Sequence, residues 1–252
     1  MTTAERRSLP PAQAPTTAGR LTESFDAWAR VLRSPGQPAP ADRSLHGAAD
    51  ALPYRPTLRN RMALVRVLDD GGEDGEVVRM RGDRLVIGRS EGEIVIPHDI
   101  SMSPRHASIE RRDDGNWLLS DLGSVQGTFV RVVAARLRHG TVLQIGGTRL
   151  RFQAIDLTEG ALVEIRAAGD GLRHECHAPS TTIGRSGCDA GIGLDDPFVS
   201  QFHATVRRSP RGWRIENAGI NGLWVRIEAA VAMTVPSQFQ CGEQRFAFQP
   251  LV

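Results

Sequence analysis

The second half of this chain restates the first, and that repeat limits the fold more than any other feature. Ile87-Gly88-Arg89-Ser90 recurs as Ile183-Gly184-Arg185-Ser186, and Ser103-Pro104-Arg105-His106-Ala107 recurs as Ser200-Gln201-Phe202-His203-Ala204. Trp117 returns as Trp213, Phe129-Val130-Arg131-Val132 as Trp224-Val225-Arg226-Ile227, and Phe152-Gln153 as Phe248-Gln249. The offset stays between 95 and 97 residues, from Gln126 to Asn221 and from Ser103 to Ser200. Two copies of one small fold follow, rather than one large domain. Within each copy, apolar runs such as Ala63-Leu64-Val65-Arg66-Val67-Leu68, Arg84-Leu85-Val86-Ile87 and Trp117-Leu118-Leu119 alternate with turn signals. That punctuation predicts an all-β fold, and the repeat length suits a β-sandwich. The expected domains are 62–154 and 161–250, joined by a short linker around Asp156-Leu157-Thr158-Glu159-Gly160.

Residues 1–61 read differently. They hold eight of the 15 Pro along with many Ala and Ser, a composition that buries too little apolar surface to offset chain entropy. A largely disordered tail is expected there. Within it, Leu21, Phe25, Trp28 and Leu32 share one helical stripe behind a Thr22 cap, predicting a short helix near 22–33 that packs on the protein itself or on a partner.

Every one of the 31 basic residues is an Arg. The absence of Lys excludes a Walker-type phosphate loop, a kinase strand lysine and Schiff-base chemistry. It also suits a GC-rich, bacterial source. Counted along the chain, Arg against acid is 9 to 5 in 1–61, 13 to 13 in 62–154 and 9 to 11 in 155–252, giving +4, 0 and −2. Neither repeat carries the basic excess of a nucleic-acid binder. Three Cys without paired spacing argue against a disulfide scaffold, and no apolar stretch suggests secretion or a membrane span. A cytoplasmic protein is expected.

In each repeat, three chemical elements fall just outside predicted strands: Gly-Arg, Ser-x-x-His, and a polar residue followed by Gly in a turn. Loops at one end of a sandwich are where a rigid scaffold presents binding groups. The Arg fork matches a phosphate or carboxylate, the Ser hydroxyl adds a donor, and Asn221-Gly222 suits a turn with positive φ. Taken singly, each has a plainer reading. Gly-Arg is usually a turn with a solvated charge, and a His three residues after a Ser is more often a structural residue tying loops together. A Ser-His hydrolase would also need an orienting acid and an oxyanion hole, and neither is visible. His174, Cys176, His177 and Cys188 occur in one repeat only and lack zinc spacing, so they read as strand residues rather than a metal site.

Gly-Arg, then Ser-x-x-His, then a side-chain amide before Gly (Gln126-Gly127 and Asn221-Gly222), in order and twice over, resembles the forkhead-associated (FHA) domain, with Asp121-Leu122-Gly123-Ser124 and Gly127-Thr128-Phe129-Val130 especially near the family pattern. The resemblance covers about three quarters of the chain. It implies two tandem eleven-stranded sandwiches that bind phosphothreonine peptides without catalysis, cofactor or metal. By motif, Arg89 and Ser103 in the first repeat and Arg185 and Ser200 in the second would hold phosphate. Gln126 and Asn221 would contact the peptide backbone. Gly88, His106, Gly127, Gly184, His203 and Gly222 would support the loops. The first repeat departs from the pattern with Val125 and Gln126, the second with Ile220 and Leu223, and Pro104 and Gln201 replace a further donor. The expected function is a phosphothreonine-binding adaptor in Ser/Thr-kinase signalling, whose partner is a phosphoprotein, the kinase or its substrate. The alternative is a phospho-independent assembly module.

Overall fold

The computed structural model describes residues 62–68, 75–156 and 158–251; the expected tail and its helix near 22–33 lie outside them. Among the described residues the chain is all β, with ten strands from each repeat. The first repeat supplies β1 (Met62–Leu68), β2 (Val77–Met80), β3 (Arg84–Gly88), β4 (Ile94–Val95), β5 (Ala107–Arg111), β6 (Trp117–Asp121), β7 (Thr128–Val132), β8 (Ala134–Leu137), β9 (Val142–Ile145) and β10 (Thr148–Ala154). Their counterparts are β11 (Gly160–Arg166), β12 (Gly169–Glu175), β13 (Ser180–Arg185), β14 (Ile192–Leu194), β15 (Ala204–Ser209), β16 (Gly212–Asn217), β17 (Leu223–Arg226), β18 (Val231–Ala232), β19 (Ser237–Cys241) and β20 (Gln244–Leu251). Among these residues no helix is long and apolar enough to cross a membrane.

The strands do not close within their own repeat. One ten-stranded sheet runs β12-β11-β10-β9-β17-β7-β19-β20-β1-β2, and two five-stranded sheets run β14-β13-β15-β16-β8 and β18-β6-β5-β3-β4. The first sandwich is therefore built from β1–β7 plus β18–β20, and the second from β11–β17 plus β8–β10. Each repeat gives its last three strands to the other. The cores show the same exchange, because Phe239, Phe246 and Phe248 pack with Val65, Ile87 and Trp117, whereas Leu150 and Phe152 pack with Leu162, Ile183 and Trp213.

The sequence boundaries 62–154 and 161–250 describe the order of the repeats; the packed units draw on both halves. Connection lengths account for this. β10 and β11 are separated by residues 155–159, a hairpin-length loop, and they pair antiparallel with Ala154 opposite Gly160. Only Val133 separates β7 from β8, too little chain to turn back, so β8 runs on to pair with β16. The hydrophobic pattern permits the exchange, since β9-β10 buries Leu143, Leu150 and Phe152 where β19-β20 buries Phe239, Phe246 and Phe248. β7 and β17 then pair antiparallel with Val130 opposite Val225, residues that occupy the same place in the two repeats. A local two-fold axis passes through that pair.

Candidate functional site

Close backbone packing brings the Gly-Arg and Ser-x-x-His elements together in both sandwiches. The Arg89 N–H donates to Ser103 O at 2.9 Å, and the Arg185 N–H donates to Ser200 O at 3.0 Å. Glycine before each Arg is required by this approach: a Cβ on Gly88 would lie 2.0 Å from Pro104 O, and one on Gly184 would lie 1.8 Å from Gln201 O. Arg89 is half-buried and Arg185 exposed. Among the described residues neither side chain joins an ion pair.

A buried histidine ties three loops together in each case. The Ser103 N–H donates to His106 Nδ1 at 3.1 Å, so the ring proton sits on Nε2 and is donated to Gly127 O at 3.1 Å. His203 repeats the arrangement between Ser200 N–H at 3.0 Å and Gly222 O at 3.0 Å. Gly127 and Gly222 have φ of 79° and 80°, the left-handed turn expected of Asn-Gly.

The two amide positions differ. Gln126 accepts a bond from Arg149 through Oε1. Asn221 donates its Nδ2 to Phe198 O at 2.7 Å. In the first site the Val125 N–H donates to Ser103 Oγ at 3.1 Å, and the Asp121 carboxylate accepts from Gly123, Ser124 and Thr128, staking the turn down. Burial alone would raise the Asp121 pKa, but the hydroxyls of Ser124 and Thr128 and the Ser124 N–H hold it below the usual carboxylate value. In the second site Asn217 takes that place, donating to Gly219 O at 3.0 Å.

Burial lowers the His106 pKa below its ordinary 6.5, against the opposing pull of the Gly127 carbonyl and of Asp121. The unfolded chain therefore takes up this proton first as pH falls. Stability tied to neutral His106 is complete above about pH 6.5 and is lost as pH drops through the lowered folded value. Urea midpoints are expected to fall between pH 7.5 and 5.5, and NMR of the His106 ring to show it still neutral at 6.5. A ring that titrates above 6.5 would contradict this account.

One residue that the motifs did not single out completes each site. Asp99, in the loop carrying Ser103, accepts the N–H groups of Glu243 and Gln244 at 2.8 and 3.2 Å. Asp196, in the loop carrying Ser200, accepts Gly147 N–H and Thr148 Oγ–H at 2.8 and 2.9 Å. Each phosphate-loop candidate is thus pinned to a hairpin turn donated by the other repeat. The recurrence of Asp at the repeat offset was the available signal. His174 instead faces Glu164 at 3.1 Å, while Cys176 is buried, which pushes its thiol up to about 11.

The family model described as FHA domain matches residues 85–146 and 181–235. The FHA domain-containing protein FhaB of Mycobacterium tuberculosis is 28% identical over 99 residues, which span 38% of this chain and 63% of that protein. Among solved structures, the FHA domain of the CT664 protein from Chlamydia trachomatis is 14% identical, with a TM-score of 0.35 over 76% of this chain and 99% of that one. Mycobacterium tuberculosis EmbR in complex with a low-affinity phosphopeptide is 13% identical, with a TM-score of 0.33 over 75% of this chain and 24% of that one.

Proposed function

The chain belongs to the forkhead-associated domain family in both of its repeats, and on that premise we propose that it is a non-catalytic adaptor that binds phosphothreonine-containing segments of another protein. The observation that carries this reading is the duplicated junction of an arginine and a serine, joined by a backbone hydrogen bond and braced by a buried histidine. A phosphothreonine brings nearly two negative charges and three acceptor oxygens, which an Arg fork and a Ser hydroxyl can meet without cofactor or metal. The partner is then a substrate of a Ser/Thr kinase, or such a kinase itself. Three free cysteines agree with a cytoplasmic setting.

The second site is expected to bind more tightly. It keeps Arg185, Ser200 and Asn221 together, whereas the first has Gln126 at the amide position, whose extra rotor adds entropy to be lost on binding. Titrating the whole protein with matched phosphorylated and unphosphorylated threonine peptides tests the reading. Arg185→Ala is expected to weaken phosphopeptide binding by about 1.5–3 kcal/mol, roughly ten- to a hundredfold, and Arg89→Ala by less. Equal binding of both peptide forms would favour the phospho-independent assembly module instead.

A further inference from the structure

Gln126 and Asn221 belong to different repeats, yet both line one cleft of about 1000 Å³. The local two-fold axis explains this meeting. Thr128 and Leu223 begin the strands that follow the two turns, and in the β7–β17 register Leu223 lies opposite Val132. Four residues of strand, ~13 Å, therefore separate the starts of the two strands along the sheet. An extended peptide of a few residues crosses such a gap.

The cleft between them is polar and two-fold in its chemistry. At its floor Gln144 and Gln240 exchange hydrogen bonds of 3.3 and 3.5 Å. On its walls Arg149 lies over Phe129 with 5.3 Å to the ring centroid, and Arg245 lies over Trp224 at 5.0 Å. Glu243 also lines the cleft, so the cations outnumber the acid. Gln126 uses its carbonyl on Arg149 and keeps a donating NH2; Asn221 uses its NH2 on Phe198 O and keeps an accepting oxygen. A donor at one end and an acceptor at the other match the C=O and N–H groups of a single peptide backbone.

We propose that the two sites read one ligand: a single extended segment carrying two phosphothreonines, whose backbone crosses the central cleft between Gln126 and Asn221. The proposal rests on the phosphothreonine reading above. Held in a fixed relation by the exchanged strands, the second site captures its phosphate at a high effective concentration once the first is filled.

Calorimetry on the whole protein, with peptides bearing two phosphothreonines about four to twelve residues apart and their singly phosphorylated versions, tests it. At the best spacing one doubly phosphorylated peptide is expected to bind per chain, about a hundredfold tighter than the better single version. Arg245→Glu is expected to reduce that ratio at least about tenfold, because a segment bridging the two sites has to pass the wall that Arg245 forms. Single versions that bind while doubly phosphorylated ones bind two per chain without gain at any spacing would overturn the bridge alone. Failure of every phosphorylated peptide to outbind its unphosphorylated form would overturn the phosphothreonine reading and the bridge with it.

Discussion

Phe248→Ala is expected to destabilise the sandwich that carries most of the first repeat, by about 3–5 kcal/mol, although the residue lies near the end of the second repeat. Its ring is 1% exposed and meets Trp117 edge-on at 6.0 Å between centroids, beside the stacked pair Phe239 and Phe246 at 5.0 Å. Truncation leaves a cavity that a close-packed core closes only in part. Phe152→Ala is the mirror experiment, because Phe152 packs against Trp213 at 5.5 Å. Fluorescence of variants that retain only Trp117 or only Trp213, followed through urea unfolding, separates the two. Phe248→Ala should shift the Trp117 transition and Phe152→Ala the Trp213 transition. The reverse assignment would mean that each repeat closes on its own strands and that the exchange is wrong.

Asp99→Ala and Asp196→Ala are expected to cost about 3–6 kcal/mol each, because each carboxylate accepts two hydrogen bonds from the donated hairpin and charge-assisted bonds contribute roughly 1.5–3 kcal/mol apiece. Both residues are buried, so the abandoned donors gain little from water. Asp196 also accepts the Phe198 N–H at 2.9 Å, which ties the loop bearing Ser200 into the same knot. Asp196→Ala should therefore loosen phosphopeptide binding at the second site while Arg185 is untouched, and Asp99→Ala should do the same at the first. Denaturant melts paired with peptide titration measure both effects. A stability change within about 0.5 kcal/mol would remove these aspartates from the account.

The all-β class was legible because alternation and turn residues are local properties, and the repeat was legible because it is written in residue identities. Partner choice among strands is neither. The hairpin around Phe152 and the hairpin around Phe248 offer nearly the same apolar face, so hydrophobic pattern alone does not say which core each fills. The deciding features were the single residue Val133 between β7 and β8 and the short loop before Gly160. In the sites, Arg89, Ser103, His106 and their counterparts stood out because they recur in order. Asp99 and Asp196 recur as well, but their role depends on hairpin turns delivered from the far repeat. Arg149, which engages Gln126 from within the same repeat, falls in none of the motifs.

Strand exchange also sets an order of completion during protein synthesis. Residues 62–132 leave the ribosome before the second repeat, yet their sandwich lacks β18–β20 until Leu251 has emerged. At ordinary translation rates that interval is on the order of ten seconds. Throughout it, the aromatic-poor half-core around Val65, Ile87 and Trp117 lacks the phenylalanines that will cover it, while the second sandwich already holds its borrowed strands. The earlier-made of the two sandwiches is the later to be finished, and a ribosome that stalls between Arg226 and Leu251 leaves it open.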